Sequence, residues 1–337
     1  MPSRPRVAAN VRAIQASAPG GPDVLELVDL PDPEPAADEV LVRLAAAGVN
    51  FIDTYRRGGA YPMPFPHVVG SEGAGEVVAV GDDVAEIAVG DRVAWSASPG
   101  SYAELVRVRE SQALLVPEGV SDEVAAALPL QGMTAHYLVT STFPVDDGHD
   151  ILVHAAAGGV GLLLTQLAAQ RGARVIATVG SAEKERLARE AGAAEVIRYR
   201  ELDDLTRDLP AEVRALTDGR GVHAVFDSVG KDTFDASLAS LHRRGTLVLF
   251  GASSGAVPPF DPQRLNAAGS VFLTRPKLDD HTATRDELTW RARELFDAVR
   301  AGALDVRVGA TFPLADAADA HRALESRSTT GKVLLLP

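Results

Sequence analysis

The 337-residue sequence contains no cysteine. It therefore cannot form a disulfide, a cysteine nucleophile, an iron–sulfur cluster or a cysteine-bound zinc site. Its eight histidines are scattered and do not show the short spacings of metal-binding motifs, so we expect no metal site. These absences exclude several classes of redox and hydrolytic enzyme.

Lysine is also scarce, and acidic residues outnumber basic ones. The net charge is −13, and the lysines are Lys184, Lys231, Lys277 and Lys332. Nucleic-acid binding requires basic surfaces, so we expect no nucleic-acid partner. The segment Met1–Asn10 carries two arginines but no apolar core, which argues against a signal peptide. We therefore expect a cytoplasmic protein with no membrane association.

One long uncharged run is present, Ile151–Gln170, which holds no Asp, Glu, Lys or Arg. Its length approaches that of a transmembrane helix. A glycine turn, however, divides it into a β-type run, Ile151–His154, and an apolar helical pattern, and each part is too short to span a bilayer. Buried parallel strands are this hydrophobic. The run therefore predicts a strand, a turn and a helix of a soluble domain.

The turn reads A-x-x-G-x-x-G, with small residues at Ala155, Gly158 and Gly161. This is a variant of the dinucleotide-binding fingerprint, in which small residues let the backbone approach a pyrophosphate at the N-terminus of a helix. A second β-rich run, Arg174–Val179, follows at the spacing of a βαβ unit. The pattern predicts a dinucleotide site at this turn.

The residues about twenty positions further on indicate which dinucleotide binds. NAD-binding chains usually place Asp or Glu there, against the ribose 2′-hydroxyl. This chain has Thr178-Val-Gly-Ser181 and then Lys184. A missing acid and an added cation are expected where the ribose carries a phosphate. The sequence therefore predicts NADPH as the cofactor.

The pattern of elements changes along the chain. Residues 10–130 consist mainly of β-type runs and turns, typical of a partly open β-barrel. From Asp150 six β-type runs alternate with helices, which predicts an α/β fold with a doubly wound parallel six-stranded sheet. The last sixty or so residues break this alternation and suggest a return to the first domain. We expect domains over 1–131 and 132–275, with the return over 276–337.

Several blocks occur in the order of a known family. They are Gly20–Leu25, Gly48–Tyr55, Gly90–Val93, His154–Gly161, Asp227–Gly230, Phe250-Gly251, Ser253–Gly255, Thr274–Pro276 and Glu325–Arg327. With them, the chain resembles the zinc-free quinone oxidoreductases of the medium-chain dehydrogenase/reductase superfamily, the group that includes zeta-crystallin. The resemblance implies a GroES-like β-barrel domain, a Rossmann domain, NADPH as cofactor, and a homodimer in which Val271–Thr274 pairs across the two-fold axis.

The chain departs from the zinc-dependent members of that superfamily at the metal ligands. Asn50 stands where alcohol dehydrogenases place a zinc-binding cysteine, and their Gly-His-Glu reads Gly70-Ser71-Glu72. A catalytic zinc would polarise a carbonyl or stabilise an alkoxide. Without it, the expected substrate is an already electron-poor acceptor such as a quinone, whose product anion is delocalised.

The resemblance also implies cofactor contacts, residue by residue. The pyrophosphate residues are Gly158, Gly159 and Val160. The 2′-phosphate residues are Lys184, Tyr199 and Arg327, with Gly180 and Ser181 leaving room. The ribose and nicotinamide residues are Ser228, Phe250, Gly251 and Ser253, with Thr274 and Arg275 at the same edge. Ala252 stands where close relatives carry a polar residue.

On the substrate side, the resemblance implies a lining of Asn50, Tyr55, Tyr61 and Thr134. Tyr55 is the candidate proton donor. Two other functions fit the same motifs. One is NADPH-dependent reduction of the double bond of α,β-unsaturated ketones or aldehydes. The other is a catalytically idle cofactor-binding or RNA-binding protein of the crystallin type.

Overall fold

The computed structural model describes residues 10–337. The expectation for Met1–Asn10 therefore lies, apart from Asn10, outside the described residues. The chain forms two compact units. The first, the barrel unit, comprises residues 10–130, Leu288–Ala301 and Val308–Pro337, and the second, the nucleotide unit, comprises Gln131–Glu287 and Gly302–Arg307. The domain boundaries anticipated from the sequence remain a prediction.

The elements of the N-terminal part are mostly strands. The strands are β1 (Asn10–Ala16), β2 (Leu25–Pro31), β3 (Glu39–Val49), β4 (His67–Val68), β5 (Glu72–Val80), β6 (Arg92–Trp95), β7 (Leu105–Arg109) and β8 (Leu114–Leu115). The helices are α1 (Phe51–Arg57), α2 (Asp122–Ala127) and α3 (Pro129–Tyr137), and a π-helical segment, Leu138–Thr142, follows α3.

The nucleotide unit alternates strands with helices. The strands are β9 (Asp150–Val153), β10 (Arg174–Val179), β11 (Glu195–Arg198), β12 (Val222–Asp227), β13 (Leu241–Leu249) and β14 (Phe272–Thr274). The helices are α4 (Gly159–Gln170), α5 (Ala182–Glu190), α6 (Leu205–Leu216), α7 (Phe234–Ser240), α8 (Gln263–Ala267) and α9 (Leu278–His281). The C-terminal elements are α10 (Arg285–Arg300), β15 (Val308–Pro313), α11 (Ala317–Glu325) and β16 (Lys332–Leu336).

The six strands β9 to β14 form one parallel sheet in the order β11-β10-β9-β12-β13-β14. This is the Rossmann order, whose topological switch point lies between β9 and β12. All four residues of β9 are buried, as expected for a central strand covered on both faces. Ligands of such sheets bind outside the carboxyl ends of the strands, and the fold therefore directs attention to that edge.

The barrel unit contains a three-stranded sheet, β2-β1-β4, and a seven-stranded sheet. The longer sheet has the order β15-β16-β3-β5-β6-β8, with β7 also paired to β3. The C-terminal strand β16 runs antiparallel to β3, with Val333 opposite Val49. This pairing brings Lys332 next to Asn50, although the two residues are far apart in sequence. The core of the unit includes the buried Trp95 and Tyr102.

Some elements differ from the sequence pattern, which predicts a helix near Thr233–Leu241 and a strand at Thr246–Phe250. Strand β13 begins at Leu241, directly after α7, because its first residues continue the parallel pairing with β12 at Val222. Helix α1 is formed by a segment that the sequence pattern left unassigned, and its N-terminus carries a capping box between Asn50 and Asp53. Among the described residues, no helix is both long and apolar enough to cross a membrane.

Candidate active site

The glycine turn after β9 leads directly into α4. Gly158 is the N-cap of this helix, in an extended conformation, and Ala155 takes a left-handed conformation with φ of 51°. The amides of Gly159 and Val160 lie in the first turn of α4, where backbone N–H groups have no partner within the helix. The turn therefore offers hydrogen-bond donors and the positive end of the helix dipole to an anion.

The three glycines in and beside the fingerprint, Gly158, Gly159 and Gly161, differ in their surroundings. A Cβ at Gly161 would lie 2.4 Å from the Ala155 carbonyl oxygen, so only glycine lets the helix pack on the turn. At Gly158 the nearest atom to such a Cβ is the same oxygen, at 3.2 Å. Beside Gly159 the space is filled by the Gln131 side chain of α3. Gly161 thus shapes the turn, whereas Gly158 leaves its outer side open.

A buried polar network lies beneath this turn, and the sequence analysis did not identify it. His154 Nδ1 lies 2.9 Å from Thr178 Oγ1, and His154 Nε2 lies 2.9 Å from Ser237 Oγ. Ser237 Oγ donates to Asp227 Oδ2 at 2.7 Å, so His154 Nε2 carries the proton. Burial lowers the pKa of His154, which favours the neutral ring. The network joins the carboxyl ends of three strands of the sheet.

A cationic cluster lies at the carboxyl ends of β10 and β11. A Cβ at Gly180 would lie 2.8 Å from Tyr199 Oη, so the glycine makes room beside this hydroxyl. The Ser181 hydroxyl caps α5 by accepting from the Lys184 amide at 3.3 Å. Burial and, next, the positive charge of Arg200 lower the pKa of Lys184. These four residues, all named from the sequence, form the cationic cluster, and Arg200, which the sequence analysis did not identify, lies beside it.

The residues predicted for the ribose and nicotinamide also lie together. Phe250 N donates to Asp227 O at 2.9 Å, and Ser253 N donates to Ser228 O at 3.2 Å. A Cβ at Gly251 would lie 2.4 Å from the Ser228 carbonyl oxygen, so this glycine is required for the close approach. The Asp227 carboxylate holds the turn by accepting from the amides of Val229 and Gly230.

Two further predicted residues, Thr274 and Arg275, lie at the carboxyl end of the edge strand β14. Thr274 is the last residue of β14, opposite Val248, and Arg275 Nη1 donates to the Leu249 carbonyl at 3.0 Å. All cofactor residues predicted from the sequence except Arg327 thus lie at the carboxyl ends of the six parallel strands. Arg327 belongs to the barrel unit, where it is exposed in a left-handed turn with φ of 57° just after α11.

Asn50 belongs to a buried cluster in the barrel unit. Its Nδ2 donates to Glu72 Oε2 at 2.8 Å, and its Oδ1 accepts from Lys332 Nζ at 2.8 Å. Lys332 also forms an ion pair with Glu72, and the other carboxylate oxygen accepts from the Leu130 amide at 2.6 Å. Burial lowers the pKa of Lys332, while Glu72 acts in the opposite direction. The orientation of the Asn50 amide is therefore set by both partners.

Asp53 links α1 to the barrel core. Its carboxylate accepts from Ser71 Oγ at 2.7 Å, from Tyr102 Oη at 3.1 Å and from the backbone N–H of Asn50 at 3.0 Å. Burial raises the pKa of Asp53, and Ser71 is the first of the partners that oppose this. Tyr102 in turn contacts His321 Nε2 at 3.2 Å. The sequence analysis did not identify this series of hydrogen bonds, because its residues come from four separate segments of the sequence.

The remaining residues predicted to line the substrate lie in two places. Tyr55 lies in α1 with its ring centroid 6.0 Å from that of Tyr61 and 6.1 Å from that of Phe51. Tyr55 is half-buried, and Tyr61 is 45 % exposed. Thr134 lies in α3, one turn beyond Gln131, and is buried in the nucleotide unit. Their roles toward a substrate stay a prediction.

Comparisons with known proteins agree with this geometry. Residues 36–118 match the alcohol dehydrogenase GroES-like domain, and residues 159–277 match the zinc-binding dehydrogenase family. A quinone oxidoreductase of Pseudomonas aeruginosa is 45 % identical over 97 % of this chain and 99 % of its own. The chain belongs to the quinone oxidoreductase family of medium-chain dehydrogenases/reductases.

Two other proteins similar to this chain are informative. A mycobacterial protein whose structure was solved in complex with NADPH is 54 % identical, with a TM-score of 0.94 over 97 % of this chain and all of that one. A 2-haloacrylate reductase from a Burkholderia species is 40 % identical over 94 % of this chain and 96 % of its own. The quinone oxidoreductase family fold is therefore shown over nearly the whole chain.

The site of this quinone oxidoreductase homologue does not fit the zinc ion that the zinc-binding dehydrogenase match implies. The amide of Asn50 and the hydroxyl of Ser71 occupy ligand positions, and neither is a usual zinc ligand. The Glu72 carboxylate is engaged by the Lys332 ammonium, whose positive charge would repel a dication. Within residues 10–337, no group of three or more histidine and carboxylate residues could hold a metal.

The nucleotide unit does fit NADPH. The Gly158–Val160 turn supplies backbone donors at a helix N-terminus, as a pyrophosphate requires. The space left by Gly180 opens beside Tyr199 and Lys184, and a hydroxyl and an ammonium suit a ribose phosphate.

Proposed function

We propose that this protein is an NADPH-dependent quinone reductase that works without metal or flavin. The observation that carries the proposal is the cationic cluster of Gly180, Ser181, Lys184 and Tyr199 at the carboxyl edge of the six-stranded sheet. It lies in a chain that is 45 % identical to a quinone oxidoreductase, and a relative at 54 % identity was solved with NADPH. An acidic residue selective for NADH is replaced by groups that suit a phosphate.

In this proposal, the protein contributes positioning and hydrogen bonds rather than a covalent step. When bound, NADPH supplies the reducing equivalents. Gly158, Gly159 and Val160 hold its pyrophosphate, and the turns at Ser228 and Gly251 hold the nicotinamide half. Asn50, held by Glu72 and Lys332, keeps a fixed amide on the substrate side. Tyr55 is the proposed proton donor to the reduced acceptor.

A second candidate function is supported by the relationship to the 2-haloacrylate reductase. That enzyme's named substrate class carries an activated carbon–carbon double bond. The same cofactor site would serve reduction of an α,β-unsaturated ketone or aldehyde.

Parallel assays separate the two functions. NADPH and NADH oxidation by the full chain is followed with a benzoquinone, an unsaturated ketone and 2-chloroacrylate. Quinone reduction requires the benzoquinone to give the highest kcat/KM, with NADPH preferred over NADH by at least about tenfold, the effect of about 1.4 kcal/mol of differential binding. A higher kcat/KM for either alkene would favour the second function. NADPH binding without turnover of any acceptor would contradict both and favour an idle cofactor-binding protein.

The proposed assembly is a cytoplasmic homodimer. Strand β14 ends the six-stranded sheet, and its Phe272 is 60 % exposed. An edge strand presents unpaired backbone groups that a second copy can satisfy about a two-fold axis.

A further inference from the structure

Arg200 lies beside the cationic cluster, in the short 3-10 turn Tyr199–Glu201 that follows β11. The parallel register pairs Val179 of β10 with Arg198 of β11. The residues that follow these two strands therefore run side by side. A Cβ at Gly180 would lie 3.4 Å from Arg200 Nε and 2.8 Å from Tyr199 Oη. The guanidinium and the phenol thus border the same small space.

Positive charge borders this space. Arg200 is close enough to Lys184 to lower the pKa of its ammonium, and Glu183 only partly opposes that effect. Two neighbouring cations repel each other, and an anion bound between them would offset that repulsion. Within residues 10–337, Arg200 has no carboxylate partner within 4.0 Å. Arg198, two residues earlier, pairs with Glu185 at 3.2 Å and Glu201 at 2.7 Å.

We propose that Arg200 is a specificity-determining residue that binds the ribose 2′-phosphate of NADPH together with Lys184. The inference rests on the proposed function, because it takes NADPH as the cofactor. A guanidinium presents a planar fork of donors that matches a phosphate, while an ammonium acts as a compact point charge. NADH carries a hydroxyl at this position and gains little from either cation. Arg200 therefore contributes to discrimination between the two cofactors.

The test measures binding rather than turnover. Equilibrium titrations of the full chain use 2′,5′-ADP and 5′-AMP, which differ only in the 2′-phosphate, followed by NADPH and NADH. The variant is Arg200→Gln, which removes an exposed side chain and should leave the fold intact. The matched control is Arg186→Gln, which makes the same charge change on α5, where Arg186 is 58 % exposed and pairs with Glu190.

Arg200→Gln is expected to lower the affinity for 2′,5′-ADP and for NADPH about tenfold. This is the range expected for loss of one charge-assisted hydrogen bond. Its affinities for 5′-AMP and NADH should not change, and Arg186→Gln should leave all four affinities within about twofold. Arg200→Lys should restore part of the lost 2′,5′-ADP affinity, because a charge remains without the fork.

Two results would overturn the inference. In the first, Arg200→Gln binds 2′,5′-ADP as tightly as the wild type does. In the second, Arg200→Gln lowers the affinity for 5′-AMP by the same factor as that for 2′,5′-ADP, so that Arg200 would contact the adenosine rather than the 2′-phosphate. Failure of the proposed function looks different: the wild-type protein itself would then bind 2′,5′-ADP no more tightly than 5′-AMP. In that case the inference falls together with the cofactor assignment.

Discussion

The buried side chain of His321 makes the stability of the barrel unit depend on pH. Arg57 Nη1 donates to His321 Nδ1 at 2.9 Å, so the ring proton is on Nε2, which donates to Tyr102 Oη. Burial and, next, the positive charge of Arg57 lower the pKa of His321 from 6.5 to about 3. The native ring is therefore neutral throughout the physiological range.

This shift predicts a pH-dependent stability. Between pH 6.5 and about 3 the unfolded chain binds a proton at His321 that the native state does not bind. Stability therefore falls as the pH falls through this window, by up to about 1.4 kcal/mol per pH unit. We expect the free energy of unfolding of the wild type to decrease more steeply than that of His321→Gln between about pH 6 and about pH 5.

Denaturant unfolding at several pH values checks this. The slopes of the two proteins should differ by about one proton, because the shifts at His154 and Asp53 are common to both and cancel. Parallel pH curves for wild type and His321→Gln would show that His321 titrates normally in the native state.

At the scale of elements, the turn between β9 and α4 contains one glycine that packing requires and another that leaves room for a ligand. Gly161 is required by packing, because a Cβ would lie 2.4 Å from a carbonyl oxygen that cannot move independently of the turn. Gly158 has an extended conformation open to any residue, and a Cβ there meets only one atom, at 3.2 Å. The two glycines of one motif should therefore respond differently to the same substitution.

We expect Gly161→Ala to destabilise the protein by about 1–3 kcal/mol, the usual cost of overpacking. Gly158→Ala should change the stability by less than about 1 kcal/mol but weaken NADPH at least about tenfold, because a methyl group stands where the pyrophosphate approaches the backbone. Thermal unfolding and NADPH titration of both variants test this. Equal losses of stability in the two variants would contradict the division of roles.

At the scale of the whole molecule, the open edge of the six-stranded sheet bears on assembly. If two copies join through β14, a charge at Phe272 is brought close to its symmetry mate, and like charges there are destabilising. We expect wild type to sediment at about twice 35.3 kDa and Phe272→Glu to shift toward the monomer.

The control is Val89→Glu, at an exposed position (62 %) outside the strands. It should sediment as the wild type does. A Phe272→Glu protein that stays dimeric at the same concentration would place the interface elsewhere.

Much of the nucleotide unit could be predicted because its signals are local. The run Ile151–His154, the glycine turn and the helix that follows are consecutive, and each has its own pattern of size and hydrophobicity. The same holds for Gly180, Ser181 and Lys184 around the start of α5. Helix α1 was missed because its N-cap pair, Asn50 and Asp53, lies in a short segment without a helical apolar stripe.

The sequence by itself determined the class of fold, the dinucleotide fingerprint, the expectation of NADPH and the loss of zinc ligands, since each depends on residue types at short spacings. Tertiary structure decided what long-range pairing brings together. The antiparallel pairing of β16 with β3 placed the Lys332 ammonium on Asn50 and Glu72. The parallel pairing of β10 with β11 placed Arg200 beside Gly180. Neither contact has a local signature, because strand register depends on the packing of the whole sheet.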